Sequence, residues 1–349
     1  MRDDINRFWL FKIMHRHIKH TFRIVVIILA ALLVAFFVWF ISGEGVKEPG
    51  KINWGVTFSP RQTEYLGLDS GKVYKALLDD MGVRNFRLMA PWYQVEPKPG
   101  QYDFSDVDWY IREAQKRDAK VILAIGRKLF RWPECHEPDW ARKLPAAEFE
   151  VKIMALLRAE IEHFSQFRNI VAWQIENEAM LPFGKCDPAP NLDLLKREIA
   201  LARSLDSRPV ITTESGEISP WFRIGALVDR LGVSLYRVTN NPIFGKISYP
   251  FRPGFYQKKA VLAKALNPNL QDVFITELQL EPWGDKPLAE MTVQEQYASL
   301  DFARTQDTIE FAKKTGFTDI YIWGAEWWYW LKDKQKDDRF WELGKSLMK

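Results

Sequence analysis

The chain alternates between strand-like and helix-like runs along most of its length, and this alternation constrains the fold more than any other feature. Repeated βα units predict a parallel sheet covered by helices. Eight strand-like runs, each followed by an amphipathic run, occupy about 300 residues and predict a single (β/α)8 barrel of the TIM type. The predicted strands are 52–58, 85–90, 120–125, 170–176, 209–213, 232–236, 273–277 and 318–323.

The predicted helices have recognisable ends. Ser105, Ser219 and Thr292 stand where N-cap residues would accept hydrogen bonds from first-turn amides. Gly316 stands where the long seventh helix must end. The sequence thus predicts one α/β domain over residues 52–349 with no second globular domain. The predicted helices are 72–81, 106–117, 146–167, 192–205, 220–231, 255–266, 293–315 and 338–348.

An uncharged run at residues 24–41 precedes the barrel and a linker at 42–51. As a helix rising about 1.5 Å per residue it would span roughly 27 Å, close to the hydrocarbon thickness of a bilayer. The tail at 1–23 carries six basic and two acidic residues, a bias that keeps short tails in the cytoplasm. We therefore predict a single-pass signal-anchor helix in the cell membrane, with the N-terminus cytoplasmic and the barrel extracytoplasmic. A cleaved secretory signal is the alternative, although no small-x-small cleavage site follows the run.

The charge balance argues against nucleic acid as a partner. The chain has 49 basic and 45 acidic residues, and without the N-terminal tail each sign is represented 43 times. The positive excess therefore belongs to membrane topology and not to a basic groove. The expected partners are the membrane, through the N-terminal helix, and a substrate held by the barrel.

Cys135 and Cys186 are the two cysteines of the chain. Both follow predicted strands, in loops that a barrel would place side by side, and an extracytoplasmic location permits a disulfide. The sequence leaves two readings equally open, which are a disulfide between them and two unrelated small residues.

Two predicted strands lead into glutamates with informative chemistry. Residues 173–178 read Trp-Gln-Ile-Glu-Asn-Glu, and residues 273–279 read Val-Phe-Ile-Thr-Glu-Leu-Gln. Residues at the carboxyl ends of barrel strands face the active site, and cleavage of a glycosidic bond requires one protonated and one ionised carboxyl. Glu178 and Glu277 could supply this pair. A glutamate at a strand end is more often a salt-bridge partner, but an unpaired carboxylate among apolar strand residues would be costly.

The histidine count disfavours metal chemistry. Metal-dependent hydrolases on this fold use several imidazole ligands, and three of the five histidines, His15, His17 and His20, lie in the N-terminal tail. His136 and His163 remain, and His163 reads as a helix-surface residue. We therefore expect no metal and no cofactor.

Asn177-Glu178 after the fourth strand and Glu277 at the end of the seventh resemble the signatures of clan A glycoside hydrolases. This retaining (β/α)8 superfamily includes cellulases, xylanases, mannanases and β-galactosidases, and the resemblance covers residues 53–330. It implies that Glu178 is the acid/base and that Glu277 is the nucleophile. It also implies that Asn177 binds the sugar 2-hydroxyl.

Three further residues match the pattern of the clan. Arg87 and Tyr236 correspond to residues that hold the nucleophile ionised and oriented, and Trp323 corresponds to the aromatic floor under the cleaved sugar. Other glutamates near the site are read as structural groups in preference to hydroxyl-binding ones: Glu176, Glu214 and Glu326.

Five tryptophans fall in predicted loops on the catalytic face: Trp92, Trp132, Trp283, Trp327 and Trp328. Flat rings stack on the C–H faces of sugars, which favours an oligosaccharide or polysaccharide substrate. Most tryptophans are packing residues, so we expect two or three of the five to contact substrate. Trp92, Trp283 and Trp327 are the main candidates.

The leading hypothesis is a membrane-anchored retaining O-glycoside hydrolase that cleaves β-linked glycans without a cofactor. A transglycosylase would use the same residues but would shield the intermediate from water. A non-catalytic glycan-binding barrel is the third hypothesis. Loss of Glu178 or Glu277 would have favoured it, and both residues are present.

Overall fold

Eight parallel strands close into a barrel, as the alternation of the sequence predicts. The computed structural model describes residues 2–47, 50–187, 189, 191–241 and 245–349. The spatial order around the barrel is β1-β10-β9-β6-β5-β4-β3-β2, while β7 and β8 form a separate antiparallel hairpin after β6. The strands are β1 (Asn53–Thr57), β2 (Asn85–Met89), β3 (Lys120–Ile125), β4 (Ile170–Ile175), β5 (Val210–Glu214), β6 (Arg230–Leu235), β7 (Val238–Asn241), β8 (Gly245–Ser248), β9 (Asp272–Gln279) and β10 (Asp319–Trp323).

Helices surround the barrel and follow its strands. Short π-helical turns at Leu77–Met81 and Leu331–Gln335 extend α3 and α12, and single 3-10 turns lie at Ala141–Lys143 and Leu288–Glu290. The α-helices are α1 (Arg2–Ile41), α2 (Pro60–Tyr65), α3 (Ser70–Ala76), α4 (Trp92–Val95), α5 (Ser105–Gln115), α6 (Ala146–Phe164), α7 (Leu192–Leu205), α8 (Trp221–Gly225), α9 (Pro253–Leu266), α10 (Val293–Ser299), α11 (Phe302–Lys314), α12 (Ala325–Trp330) and α13 (Arg339–Leu347).

Two predicted helices differ from the structure. The single helix predicted over 293–315 is wrong, because it breaks after Ser299 and restarts where the Asp301 side chain accepts a hydrogen bond from the Arg304 amide at 2.8 Å. The helix predicted over 220–231 is too long, since α8 covers only Trp221–Gly225 and β6 already begins at Arg230.

The predicted helix ends are confirmed in part. Thr292 caps α10 and exchanges hydrogen bonds with Glu295 in a capping box, and Gly316 follows α11 with a left-handed φ of +79°. Ser105 is the first residue of α5, not its cap. Ser219 lies one residue too early, because Pro220 occupies the cap position of α8.

The strands pack on both faces because their side chains alternate. Val121, Leu123 and Ile125 of β3 point outward into the large core between barrel and helices, whereas Ile122 joins a small cluster inside the barrel. Gly55 of β1 leaves room inside for the Tyr321 ring, since a Cβ there would lie 2.6 Å from it. The barrel interior is thus a filled core and leaves the strand ends as the place for a site.

The N-terminal helix joins the barrel at the amino ends of its strands. Within α1, the stretch Lys19–Ile41 is long and apolar enough to cross a membrane, and none of it is buried. The chain then runs along the barrel, where the Val46 amide donates to the Lys314 carbonyl at 2.8 Å and the Asn53 amide to the Thr318 carbonyl at 2.7 Å. Thr318 directly precedes β10. The helix therefore leaves the barrel at the end opposite the carboxyl ends of the strands.

Candidate active site

Glu178 and Glu277 come together at the carboxyl ends of β4 and β9. Ser234 of β6 links them, because it stands beside Glu277 in the strand register and its hydroxyl donates to Glu178 Oε1 at 2.9 Å. Glu178 is half-buried, while the Glu277 side chain is 7% exposed. The structure thus brings the two glutamates singled out by sequence into one site.

Glu277 is held by two donors. Arg87 Nη1 lies 2.8 Å from Oε1, and the Tyr236 hydroxyl donates to Oε2 at 3.1 Å. Both carboxyl oxygens therefore accept hydrogen bonds, one of them from a buried cation, as an ionised carboxyl can. Arg87 and Tyr236 occupy the positions that the resemblance implies for the partners of a nucleophile.

Arg87 is itself fixed on every side. Its Nε donates to Gln174 Oε1 at 2.7 Å and its Nη2 to Asn177 Oδ1 at 2.6 Å. The Phe130 ring lies 4.2 Å from the guanidinium carbon. The side chain is fully buried, so its charge is compensated by Glu277 and its remaining donors are satisfied by neutral oxygens.

Glu178 has a different environment. Its amide donates to the Thr213 hydroxyl at 2.7 Å, and its backbone adopts a left-handed φ of +42°. Burial raises the pKa of its carboxyl to about 7, and repulsion from Glu277 adds to this effect, while Lys128 and Ser234 oppose it. A carboxyl with this pKa holds a proton through much of the neutral range.

Asn177 directly precedes Glu178 and lies beside Arg87. Its Oδ1 accepts from Arg87 and from the Thr213 hydroxyl at 2.8 Å, and its Nδ2 donates to Glu134 Oε2 at 3.4 Å. Asn177 is 2% exposed. Its contact with a sugar 2-hydroxyl stays a prediction.

The site contains two charged residues that are absent from the sequence-based prediction. Lys128 is fully buried, and its ammonium donates to the carbonyls of Glu178 and Leu181, both at 2.8 Å. Glu134 is buried beside Asn177, and burial raises the pKa of its carboxyl well above the usual value, with Glu178 and Glu277 adding to the effect and Lys128 opposing it. Both residues could have been found from the dense run of charged residues that directly follows the apolar third strand.

The loops after β3 and β4 are fastened to each other. Cys135 and Cys186 form a disulfide with a Cα separation of 5.3 Å. Gly184 packs against the same loop, since a Cβ there would lie 2.4 Å from Glu134 Cβ. These contacts hold Glu134 in the site although its φ is +72°, a backbone conformation that costs free energy in a residue with a side chain. They also fix the loop that carries the exposed Trp132.

Trp323 ends β10 as predicted, but one face of its ring is covered. The guanidinium carbon of Arg131 lies 3.7 Å from the ring centroid. Arg131 also donates to both carboxyl oxygens of Glu281 and to Glu326 Oε2 at 3.4 Å. Only the opposite face of Trp323 can therefore serve as the predicted floor for a sugar.

The other tryptophans that were predicted to lie on the catalytic face differ in burial. Trp92, Trp327 and Trp328 are fully buried, so the prediction that Trp92 and Trp327 bind substrate is wrong, because neither ring has a free face. They instead fill the core between the barrel and its helices. Trp283 is half-buried, and its ring centroid lies 5.3 Å from that of Tyr236. It stays a candidate contact for substrate.

The neighbouring carboxyls have structural partners. Glu176 Oε1 accepts from the Arg127 amide at 2.7 Å, and Glu326 Oε1 accepts from the Ser59 amide at 2.7 Å. His163 is partly buried, in place of the predicted surface position, because it stacks on Phe104 at a centroid distance of 4.2 Å. In the part of the chain that the structure describes, no group of three histidine, cysteine, aspartate or glutamate side chains could hold a metal ion.

Solved structures share this fold. The chain aligns with a GH5_18 protein of Bifidobacterium longum bound to Manβ1-4GlcNAc (TM-score 0.57, 12% identity, 78% of this chain and 68% of that one). It aligns with the exo-β-1,4-mannosidase Op5Man5 of an Opitutaceae bacterium (TM-score 0.57, 16% identity, 81% and 54%). It also aligns with the intracellular xylanase TsXylA of Thermoanaerobacterium saccharolyticum bound to xylotetraose (TM-score 0.53, 14% identity, 79% and 86%).

No protein-family model matches the chain, and no curated protein matches it. At these low identities the structural alignments establish the fold alone, a (β/α)8 barrel that the chain shares with these three proteins. The resemblance stated from the sequence is thereby confirmed at the level of the fold.

The disulfide generates a stability prediction. Cys135 and Cys186 are 51 residues apart, and opening a loop of this length should lower the free energy of unfolding by about 4 kcal/mol in the chain-entropy model. Urea unfolding of the Cys135→Ser, Cys186→Ser double variant, compared with the oxidised protein in the same detergent, measures this difference. Equal free energies of unfolding in the two proteins would contradict a stabilising disulfide.

Proposed function

We propose that this protein is a retaining β-glycosidase with Glu277 as nucleophile and Glu178 as acid/base. The observation that carries the proposal is the contrast between the two carboxyls. Glu277 accepts hydrogen bonds from Arg87 and Tyr236, whereas the pKa of the half-buried Glu178 is raised to about 7. Retaining cleavage needs an ionised carboxylate on one side of the glycosidic bond and a protonated carboxyl on the other.

The first half of the reaction forms a glycosyl-enzyme. Glu277 attacks the anomeric carbon while the proton of Glu178 passes to the leaving oxygen, so the bond to the leaving group breaks as the bond to Glu277 forms. The Tyr236 hydroxyl and Arg87 hold the attacking carboxylate in one orientation. Positioning of this kind reduces the entropic part of the activation free energy.

The second half releases the sugar. Glu178, now ionised, takes a proton from a water molecule that attacks the anomeric carbon and displaces Glu277. Esterification of Glu277 removes the negative charge that raises the pKa of Glu178. The same side chain therefore keeps its proton more readily before glycosylation and is ionised more readily after it, as the two steps require.

We propose a β-linked glycan as substrate. Two proteins that share the fold are described as a mannosidase and a xylanase, and another is bound to Manβ1-4GlcNAc. In this chain, Asn177 directly precedes Glu178 and accepts from the same guanidinium as Glu277, and it is the proposed partner of the sugar 2-hydroxyl. The half-buried Trp283 stands beside Tyr236 and offers an aromatic surface to a neighbouring sugar unit.

We also propose that α1 anchors the enzyme to the cell membrane. The stretch Lys19–Ile41 has the length and composition for one crossing, and the six-to-two charge bias of residues 1–23 favours a cytoplasmic tail. The barrel would then lie outside the cytoplasm, where the disulfide can persist.

The two glutamates should respond differently to removal and rescue. Glu178→Ala should keep cleavage of aryl glycosides with acidic leaving groups, because these need no proton, and azide should give a product of retained configuration. Glu277→Ala should lose turnover of every substrate, and azide should give the inverted glycosyl azide. Kinetics and NMR of the products distinguish the two cases.

A buried glutamate outside the proposed catalytic pair provides the control. Glu198 of α7 is 2% exposed, and Glu198→Ala should show neither azide rescue nor the dependence on leaving group. Unchanged activity in Glu277→Ala would overturn the assignment of the nucleophile.

The pH profile should depend on the leaving group. Because the pKa of Glu178 is about 7, kcat/KM for a glycoside with a poor leaving group should fall as pH rises through about 7, where the acid loses its proton. Dinitrophenyl glycosides should lack this fall. Ser234→Ala removes a hydrogen bond that lowers the pKa of Glu178, so it should move the fall to higher pH. A fall of the same size for both leaving groups would show that another residue titrates.

Topology can be tested on cells. Protease added to spheroplasts should digest the barrel and spare a tag placed on the N-terminal tail, because the basic tail is retained inside. A protected barrel with a cleaved tag would reverse the orientation. If cells that express the full-length chain release the barrel into the medium without α1, a cleaved signal would be favoured.

A further inference from the structure

One side of α9 is covered at its start and exposed along the rest. Phe255 packs edge-on against Phe40 of α1 at 5.6 Å, and Lys258 donates to the Ser42 carbonyl at 2.7 Å. Residues three, four and eight positions after Lys258 lie on the same side of a helix. These are Val261, Leu262 and Leu266, which are 65%, 44% and 56% exposed.

The short helix α8 and the turn before it extend this apolar surface. Phe222 is 46% exposed and Ile218 is 60% exposed. The Asn267 side chain donates to the Phe222 carbonyl at 2.8 Å, so the end of α9 lies directly beside α8. We call Ile218, Phe222, Val261, Leu262 and Leu266 the α8–α9 face. Among the described residues after α1 it holds five of the twelve exposed large hydrophobic side chains.

The charge of the two segments has one sign. Residues 218–228 and 253–271 contain no aspartate or glutamate. Arg223 and Lys264 are exposed there. An apolar surface with basic residues around it fits an anionic lipid surface, because the apolar side chains enter the interface and the cations meet the headgroups.

The location of the face is set by the anchor. α1 ends at Ile41, and the Arg252 amide donates to its carbonyl at 3.2 Å. Leu266 lies eight residues beyond Lys258, which is about 12 Å along a helix. The α8–α9 face therefore begins where the chain leaves α1 and ends about two helical turns away.

Both ends of α9 lie near the amino ends of barrel strands. At the start of the helix, the Gln257 side chain lies beside Gly316, which is three residues before the first residue of β10. At its end, Leu270 lies between the helix and β9, which begins at Asp272. Tyr256 and Lys259 in its first two turns also donate to Glu217 Oε1 and to the Gly216 carbonyl in the loop after β5, both at 2.7 Å, so the helix extends along the side of the barrel to the start of β9.

We propose that the α8–α9 face rests on the surface of the bilayer that α1 crosses, with its apolar side chains among the lipid headgroups. This inference rests on the proposed membrane anchoring and goes beyond it, because it makes the barrel a second point of contact with the membrane. A single helix leaves a domain free to rotate and tilt about its linker, whereas two contacts fix its orientation.

Depth measurements on the full-length protein test this contact. The native cysteines are paired, so Val261→Cys and Val151→Cys each offer one thiol for a nitroxide label under oxidising conditions. Val151 of α6 is the matched control, since it is the same residue type and is 67% exposed, against 65% for Val261. The labelled proteins are placed in nanodiscs of phosphatidylcholine with a minor share of phosphatidylglycerol.

The expected result is a difference between the two labels. The ratio of collision with oxygen, which is enriched in lipid, to collision with a water-soluble nickel chelate should be several-fold higher at position 261 than at 151. In the Val261→Glu, Leu262→Glu background, a label at Leu266→Cys should lose its access to oxygen and gain access to nickel. All of these positions are exposed, so the substitutions leave the core intact.

Three outcomes overturn the proposal. Equal and water-like accessibility at 261 and 151, in protein that co-migrates with nanodiscs, removes the surface contact but leaves the anchor. Spin-spin broadening between labels at 261 would identify a second copy of the chain as the occupant in place of lipid. Failure of the full-length chain to co-migrate with nanodiscs removes the anchor as well, and activity on aryl glycosides tests the proposed catalysis independently of all three.

Discussion

The buried guanidinium of Arg87 is the interaction on which the site depends. It reaches from β2 to Gln174 of β4, to Asn177 after that strand and to Glu277 of β9, and so spans the barrel from one side to the other. A full positive charge in this position would be costly without a paired carboxylate. The same holds for Glu277, because burying its carboxylate without a paired cation would also cost free energy. Fold stability and the placement of the proposed nucleophile therefore rest on the same ion pair.

The environments of the two carboxyls diverge because their partners differ in charge. Glu277 meets a cation and a phenol, whereas Glu178 receives one neutral hydroxyl from Ser234 and faces the negative charge of Glu277. Burial then decides the outcome at Glu178 and raises the pKa of its carboxyl. Lys128 limits this rise, but its ammonium is bound to two main-chain carbonyls and not to the carboxyl itself. Two glutamates on neighbouring parts of one barrel can thus serve as nucleophile and acid.

Periodicity in the sequence predicted the barrel, and the strand ends predicted that Glu178 and Glu277 meet at one site, because both depend on local pattern. All eight barrel strands were located, and Glu178, Glu277, Arg87 and Tyr236 do meet. The failures arise where distant contacts decide. Trp92 was predicted to bind sugar from its loop position, yet its indole donates to Glu96 at 2.7 Å in the core. Glu134 enters the site because Gly184 and a disulfide hold its loop, and no local pattern reports such a constraint.

The separation of anchor and site follows from the direction of the strands. α1 joins the barrel where strands begin, and Gly45 makes this attachment close, since its φ is +77° and a Cβ there would lie 1.9 Å from the Lys314 carbonyl oxygen. The site lies where strands end. Glu277 lies five residues after Asp272, the first residue of β9, which is roughly 17 Å along the strand at 3.3 Å per residue. We infer that the proposed active site stands about this far from the end of the barrel at which the linker after α1 is attached.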